Sequence, residues 1–256
     1  MYDLHNHLLP GLDDGPSLIE ESLAMARIAA RDGIRVIVAT PHLKDVLERS
    51  AEDQLTSKLA QLQELIGRER LGIQLKRGME AVVDPGLPLR LKEGALHSLN
   101  GSRYVLVEFP PSLYPPFADD ALFQIQLAGY TPIIAHPERH APVQRNIELL
   151  AALVERGMLA QVTAGSYLGS FGRDAKRAAE ALLKRNLVHI IASDAHAARG
   201  HRTPVLSQAF SAVSKMVGEA KALQMVNDTP KAIVSGQEVK VEPPLAAARK
   251  RIFGLW

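Results

Sequence analysis

The sequence predicts an α/β protein built as a distorted seven-stranded TIM-like (β/α)7 barrel. Three observations carry this expectation. Short apolar, β-branched runs alternate with amphipathic helical segments, the pattern of parallel strands joined by crossovers. Helix-ending residues precede strands at Gly33, Gly129, Gly157 and Asn186, all types that tolerate a left-handed cap. Six of seven strand-like runs close on His, Asp or Glu, and barrels present functional side chains at the carboxyl ends of their strands. An open doubly wound sheet is the runner-up, but it brings only two or three strand ends to one crevice.

The elements follow in order. Tyr2 to His7 is a strand, and its period of two sets His5 and His7 on one face. Leu8 to Pro16 is a loop by its Pro and Gly content. A helix starts at Pro16-Ser17, carries Glu20 and Glu21 in its first turn, buries Ile19, Leu23, Ala26 and Ala30, and stops at Gly33. Arg35 to Thr40 is a strand feeding His42. Residues 50–66 form a helix through Leu55, Leu59, Leu62 and Ile66, with Ser50 as its cap. Residues 73–79 form a strand ending at Glu80, and residues 104–107 one ending at Glu108. The Pro-rich loop 110–117 follows, then a helix around 118–128 and a strand over 132–135 feeding His136. A helix around 146–156 leads to the strand 159–163, which delivers no obvious ligand. A helix around 173–185 precedes the strand 187–192, with Asp194 and His196 at its end. Helices fill much of 204–235. No repeat or linker divides the chain.

At 256 residues with 46% hydrophobic content, the chain suits one sizeable domain, expected over 1–240 and followed by a basic, then apolar tail over 241–256. The absence of cysteine excludes disulfides and thiolate metal sites. Any metal must be held by His, Asp and Glu, a set suited to Mn, Fe, Zn or Mg. The net charge of +2 and dispersed Lys and Arg give no indication of nucleic-acid binding. No eighteen-residue apolar run and no signal-like start are present, so a cytoplasmic location is expected.

Any one of the strand-end residues reads equally well as a solvated loop side chain. His5, His7, His42, Glu80, Glu108, His136, Asp194 and His196 together do not. With a further aspartate they exceed what one ion needs, so two or three divalent ions are expected, with Glu80 as the bridging carboxylate. Closely spaced ions activate water and clamp both sides of an in-line displacement at phosphorus. Arg139 and Arg202 follow candidate ligands closely, and a guanidinium fork matches phosphate. His189, inside an apolar strand, reads as a core histidine. His97, His140 and His201 lack the pattern.

The motifs Asp3-Leu4-His5-Asn6-His7, Asp13-Asp14-Gly15-Pro16, Ala39-Thr40-Pro41-His42, Gly78-Met79-Glu80, Val107-Glu108-Phe109, Ala135-His136-Pro137-Glu138-Arg139 and Ala192-Ser193-Asp194-Ala195-His196 resemble the PHP (polymerase and histidinol phosphatase) superfamily. More narrowly, they resemble its bacterial protein tyrosine phosphatase branch, the CpsB/YwqE-like enzymes of capsule and exopolysaccharide loci. The resemblance implies the PHP fold and a trinuclear, manganese-preferring site, with Fe, Zn, Mg or Co as alternatives. His5, His7, Glu80 and Asp194 would hold the first ion; Glu80, Glu108 and His136 the second; Asp14, His42 and His196 the third. Arg139 matches the family's phosphate-binding arginine. Arg202 or Arg199 is the second, because the loop is one residue longer here. Asp3 supports the ligands from behind. The implied reaction is phosphotyrosine hydrolysis on the tail of a phosphorylated bacterial tyrosine kinase.

Two other functions fit the same residues: a small-molecule phosphatase such as a histidinol-phosphate phosphatase, and a non-catalytic kinase-docking module. The tail from Arg249 to Trp256 reads either as a peripheral membrane or kinase contact, or as a segment packed on a neighbouring subunit or left disordered. Oligomeric state stays open. Tyr114 and Phe117 either stack on a phosphotyrosine ring or pack on the barrel.

Overall fold

The computed structural model describes residues 1–49 and 51–245. Ser50, the expected helix cap, and the tail from 246 to 256 lie outside the described residues. Among the described residues there are eight strands: β1 (Tyr2–Asn6), β2 (Val36–Ala39), β3 (Gln74–Arg77), β4 (Glu80–Val82), β5 (Tyr104–Glu108), β6 (Thr131–Ala135), β7 (Leu159–Thr163) and β8 (Ile190–Ala192). All pairings are parallel, in two sheets ordered β1-β2-β3 and β4-β5-β6-β7-β8. The expectation of parallel α/β architecture holds. Backbone pairing gives two sheets where one ring of seven strands was expected.

The division falls where a single strand over 73–79 was expected. A Cβ on Gly78 would lie 2.8 Å from Leu99 Cδ2 and 2.9 Å from Val38 Cγ1, so the chain passes those side chains only as glycine. There it steps sideways. Gly78 N still donates to Ala39 O, but Glu80 N donates to Pro41 O and Glu80 pairs with Leu106 of β5. Glu80 therefore opens a strand of the second sheet instead of closing one of the first. An isolated parallel bridge joins His42 to Glu80, and another joins Asn6 to Ala195.

Both sheets contribute to one inner apolar cluster. Leu4, Val38, Leu106, Ile133, Leu159 and Ile190 meet there, with Ile233 and Val234 of the last helix against them. A larger cluster packs the helices on the outer faces. Apolar side chains thus fill the amino-terminal part of the interior and leave polar ones to the carboxyl ends of the strands.

The helices adjust the expectations at several points. The first spans Ile19–Arg31, not from Pro16, because Pro16 O accepts from Gly11 N and is tied into the preceding loop. Gly33 caps it with φ +87° as expected. The segment expected as 50–66 is Glu52–Arg68, preceded by a short helix Leu43–Glu48. That helix and Leu87–Glu93 were not anticipated, being two turns or less and too short for periodicity to register. The segment expected at 146–156 is Glu148–Glu155, and the one at 173–185 is Gly172–Lys184, ended by Asn186 at φ +58°. The last strand is shorter than expected, because His189 is occupied with β7: its Nδ1 accepts from Ala160 N at 3.0 Å. No helix among the described residues is long and apolar enough to cross a membrane.

Candidate metal centre

Nine side chains converge around the start of β4, most of them from the carboxyl ends of the other strands. β1 brings His5 and His7, whose Nε2 atoms lie 3.0 Å apart. The β2 end brings His42, β4 brings Glu80, β5 Glu108, β6 His136, and the β8 end Asp194 and His196. Asp14 reaches in from the loop after β1, 3.0 Å from His196 Nε2. Glu80 sits in the middle. Its Oε2 is 3.1 Å from His5 Nε2, 3.3 Å from His7 Nε2 and 3.2 Å from His42 Nδ1, and its Oε1 is 2.9 Å from His136 Nε2. Glu108 lies 3.6 Å from His42 and 3.7 Å from His136.

Three sets have donor atoms within 4.8 Å of one another: His7, Asp14, His42 and His196; His5, His7 and Glu80; His42, Glu80 and Glu108. His7, His42 and Glu80 each belong to two of these sets and His136 and Asp194 to none, so the grouping differs from the expected tetrad and two triads, in which Glu80 alone was shared.

The chemistry of these donors fits divalent cations. His7 donates Nδ1–H to Asp13 Oδ2 at 2.6 Å, and His196 Nδ1 faces Asp194 O at 3.1 Å. His5 Nδ1 faces Gln161 Oε1 at 2.8 Å. With each Nδ1 so engaged, the Nε2 atoms carry lone pairs. These lone pairs point at carboxylates, which are also acceptors. Glu80 Oε2 and His196 Nε2 are buried without a hydrogen-bond partner. Acceptors packed against acceptors repel unless a proton or a cation lies between them.

The titration behaviour says the same. Burial pulls His5 and His7 down, but carboxylates outweigh it: Glu80 and Asp194 raise His5, and Asp13 with Glu80 holds His7 well above the usual imidazole range. Burial likewise works against ionisation of Glu80, but His5 and His136 hold it well below the carboxylate range. Glu108 is pushed up to about 8 by burial and by the Glu80 charge. Burial lowers His136 and His196.

Two candidate ligands sit on left-handed backbone: His136 at φ +34° and Asp194 at φ +50°. That region costs a residue with a Cβ about 1–2 kcal/mol. Such outliers cluster at functional sites.

Asp194 also gathers both expected arginines. Arg139 Nη1 donates to its Oδ2, and Arg202 Nη2 donates to its Oδ1 at 2.9 Å. The Arg139 guanidinium lies over the Phe171 ring, 4.6 Å from its centre. Arg202 O accepts from His196 N and Ala197 N, which closes the longer loop and turns Arg202 inward. Arg199 is exposed and makes no hydrogen bond or ion pair among the described residues.

Asp13, Gln161, Ser193 and Glu138 were missed. Asp13 stands inside a quoted motif beside Asp14, so the signal was present. Asp3 lies behind the candidate ligands: it accepts from Ser193 N, Ser193 Oγ and Asn6 Nδ2, tying β1 to the β8 end. Tyr114 packs on Phe109 at 5.0 Å and donates to Asp119, whereas Phe117 is 42% exposed. His189 is the wall histidine expected, lowered to about 4 chiefly by burial. His140 Nε2 meets Leu113 O, and His201 packs edge-on to Phe171.

Fold and centre together define a parallel α/β protein carrying a histidine–carboxylate cluster of the metal-binding type. Over residues 1–235 the chain matches the family described as capsular polysaccharide synthesis, CpsB/CapC. It belongs to that family. It is 34% identical over 256 residues, the whole of both chains, to the tyrosine-protein phosphatase YwqE of Bacillus subtilis. It is 32% identical, again over both whole chains, to the putative tyrosine-protein phosphatase CapC of Staphylococcus aureus. Among solved structures it is similar to one described with YwqE from Bacillus subtilis and CpsB from Streptococcus pneumoniae as unique metal-dependent tyrosine phosphatases. That likeness has a TM-score of 0.91 at 33% identity, covering 97% of this chain and 100% of the other.

Proposed function

We propose that this chain is a metal-dependent protein-tyrosine phosphatase acting on the phosphorylated tail of a bacterial tyrosine kinase that controls capsule or exopolysaccharide synthesis. One observation carries the reading most: nine His, Asp and Glu side chains, with Glu80 among them at the middle, converge beside two arginines that share Asp194. The family relatives and their printed names support it. The two sheets are read as one distorted seven-stranded barrel of the PHP type, a single domain over 1–240, working in the cytoplasm. Two to three divalent ions, manganese foremost, are the expected occupants, held by His5, His7, Asp14, His42, Glu80, Glu108, His136, Asp194 and His196.

Bound there, divalent ions supply Lewis-acid neutralisation of phosphoryl charge and lower the pKa of water at the centre. The chain's own residues do the rest. Arg139 and Arg202 keep guanidinium donors free beyond their bonds to Asp194, and these bind and orient the phosphoryl oxygens. The same charges stabilise the transition state as negative charge spreads over those oxygens. A tyrosinate leaving group, with a pKa of about 10, needs little proton donation. A phosphocysteine intermediate is excluded, because the chain has no cysteine.

The decisive experiment is hydrolysis of a phosphotyrosyl peptide by the purified chain, with manganese added and with it chelated. Manganese-restored turnover is expected. Bound metal with turnover of histidinol phosphate but no phosphopeptide turnover would favour the small-molecule phosphatase. Kinase binding with no phosphatase activity would favour the docking module.

Two further results are expected. Arg202→Ala should lower kcat/KM about tenfold to a hundredfold, the worth of a hydrogen bond to a charged group. Arg199→Ala should stay within about twofold, as an exposed substitution does. Equal effects would undo the assignment of Arg202 over Arg199. Manganese binding at neutral pH should release protons, because the raised His5 and His7 must shed them to bind. Affinity therefore falls as pH falls below their folded pKa values. Calorimetry in buffers of different ionisation enthalpy measures this release; a buffer-independent heat would contradict it.

A further inference from the structure

β7 ends in no candidate ligand, yet two of the side chains it buries, Gln161 and Thr163, are polar. Gln161 and Thr163 are both completely buried. A buried amide is retained where it makes a specific hydrogen bond. The oxygen of Gln161 faces His5 Nδ1 at 2.8 Å. Only this orientation of the amide is compatible with a lone pair on His5 Nε2. Turned round, the amide nitrogen would donate to Nδ1, and Nε2 would carry hydrogen toward Glu80, His7 and Asp194.

The same strand holds a second part of the centre. Glu138 is completely buried, and its Oε1 accepts from Thr163 N at 3.1 Å and from Ser166 Oγ at 2.7 Å. Its carbonyl accepts from Gln144 Nε2 at 2.8 Å. Glu138 lies between His136, whose backbone is left-handed, and Arg139. Its carboxylate therefore pins to β7 the short turn that presents both.

We infer that β7 is the positioning strand of the centre: Gln161 sets the tautomer of His5, and Glu138, anchored on Thr163 and Ser166, aims His136 and Arg139. Both are completely buried and act through the residues they hold. This rests on the phosphatase reading only for the kinetic test of Glu138; the tests of Gln161 stand without it.

The first measurement is a nitrogen-15 histidine correlation spectrum of the metal-free wild-type chain above the pKa of His5. It should show His5 as the Nδ1–H tautomer, assigned by loss of its signals in His5→Gln. An Nε2–H tautomer would overturn the role of Gln161 without any variant of that residue having to fold. The second is manganese titration by calorimetry. Gln161→Met keeps the volume and loses the acceptor, so affinity should fall about tenfold to a hundredfold, as for lost support of a metal-bound histidine. Gln161→Glu restores an acceptor and should bind at least as tightly as wild type. Wild-type affinity in Gln161→Met, or an equal loss in both variants, would mean that Gln161 only packs.

For Glu138, the readout is the split between KM and kcat on a phosphotyrosyl peptide. Glu138→Ala should raise KM and lower kcat together, each at least fivefold. Glu138→Gln keeps one acceptor oxygen and should recover most of both. Loss of thermal stability in Glu138→Ala with KM and kcat unchanged in the folded fraction would overturn its positioning role. A wild-type chain that turns over no phosphotyrosine would instead sink the phosphatase reading and leave the Gln161 result intact.

Discussion

Glu80→Gln is expected to lower kcat/KM on a phosphotyrosyl peptide by at least about a thousandfold, beyond the loss of a single preorganised donor at a polar site. The reason is the number of groups that one carboxylate serves. Its two oxygens lie within 3.3 Å of the ring nitrogens of His5, His7, His42 and His136. An amide is nearly isosteric, but half of it is a donor. Its NH2 would bond one imidazole lone pair and take that nitrogen out of the cation-binding set. Bound manganese should fall by at least one ion per chain, measured by elemental analysis after gel filtration. The fold should persist, because the apolar cluster beneath does not include Glu80. A variant that keeps its full metal content and activity would remove Glu80 from the centre of the scheme.

Arg139→Ala is the second large effect, about a hundredfold to a thousandfold in kcat/KM. Here metal content should not fall. Arg139 competes for an Asp194 oxygen, so removing it frees a candidate ligand and leaves the others in place. Arg139→Lys should recover little. Lysine lacks the planar fork that meets two phosphoryl oxygens, and it stacks less well on Phe171. Parallel loss of metal and activity in Arg139→Ala would make Arg139 a structural partner of Asp194 and nothing more.

Which parts were legible in the sequence follows from the range of each interaction. The helix–glycine–strand rhythm is local, and Gly33, Gly129, Gly157 and Asn186 all adopt positive φ where it placed them. The candidate ligands were legible because imidazoles and carboxylates at strand ends are conspicuous. The break between β3 and β4 was not. It depends on Leu99 and Val38 crowding Gly78, and nothing near position 78 announces those contacts. Gln161 was invisible for a related reason. A single glutamine in Leu-Ala-Gln-Val-Thr looks neutral until a strand 156 residues away sets His5 against it. The sharing of His7 and His42 between donor sets also needs three dimensions, since only Glu80 was expected to serve two sets.

The left-handed backbone at His136 and Asp194 has a practical consequence for anyone selecting sturdier versions of this chain. Glycine adopts that conformation without the steric cost that a Cβ incurs. A screen scored on heat resistance alone would therefore be drawn to positions 136 and 194, and what it rewarded there would be the removal of the centre. Rigour in such a screen lies in scoring metal uptake alongside melting temperature, so that durable but empty variants are discarded at the first round.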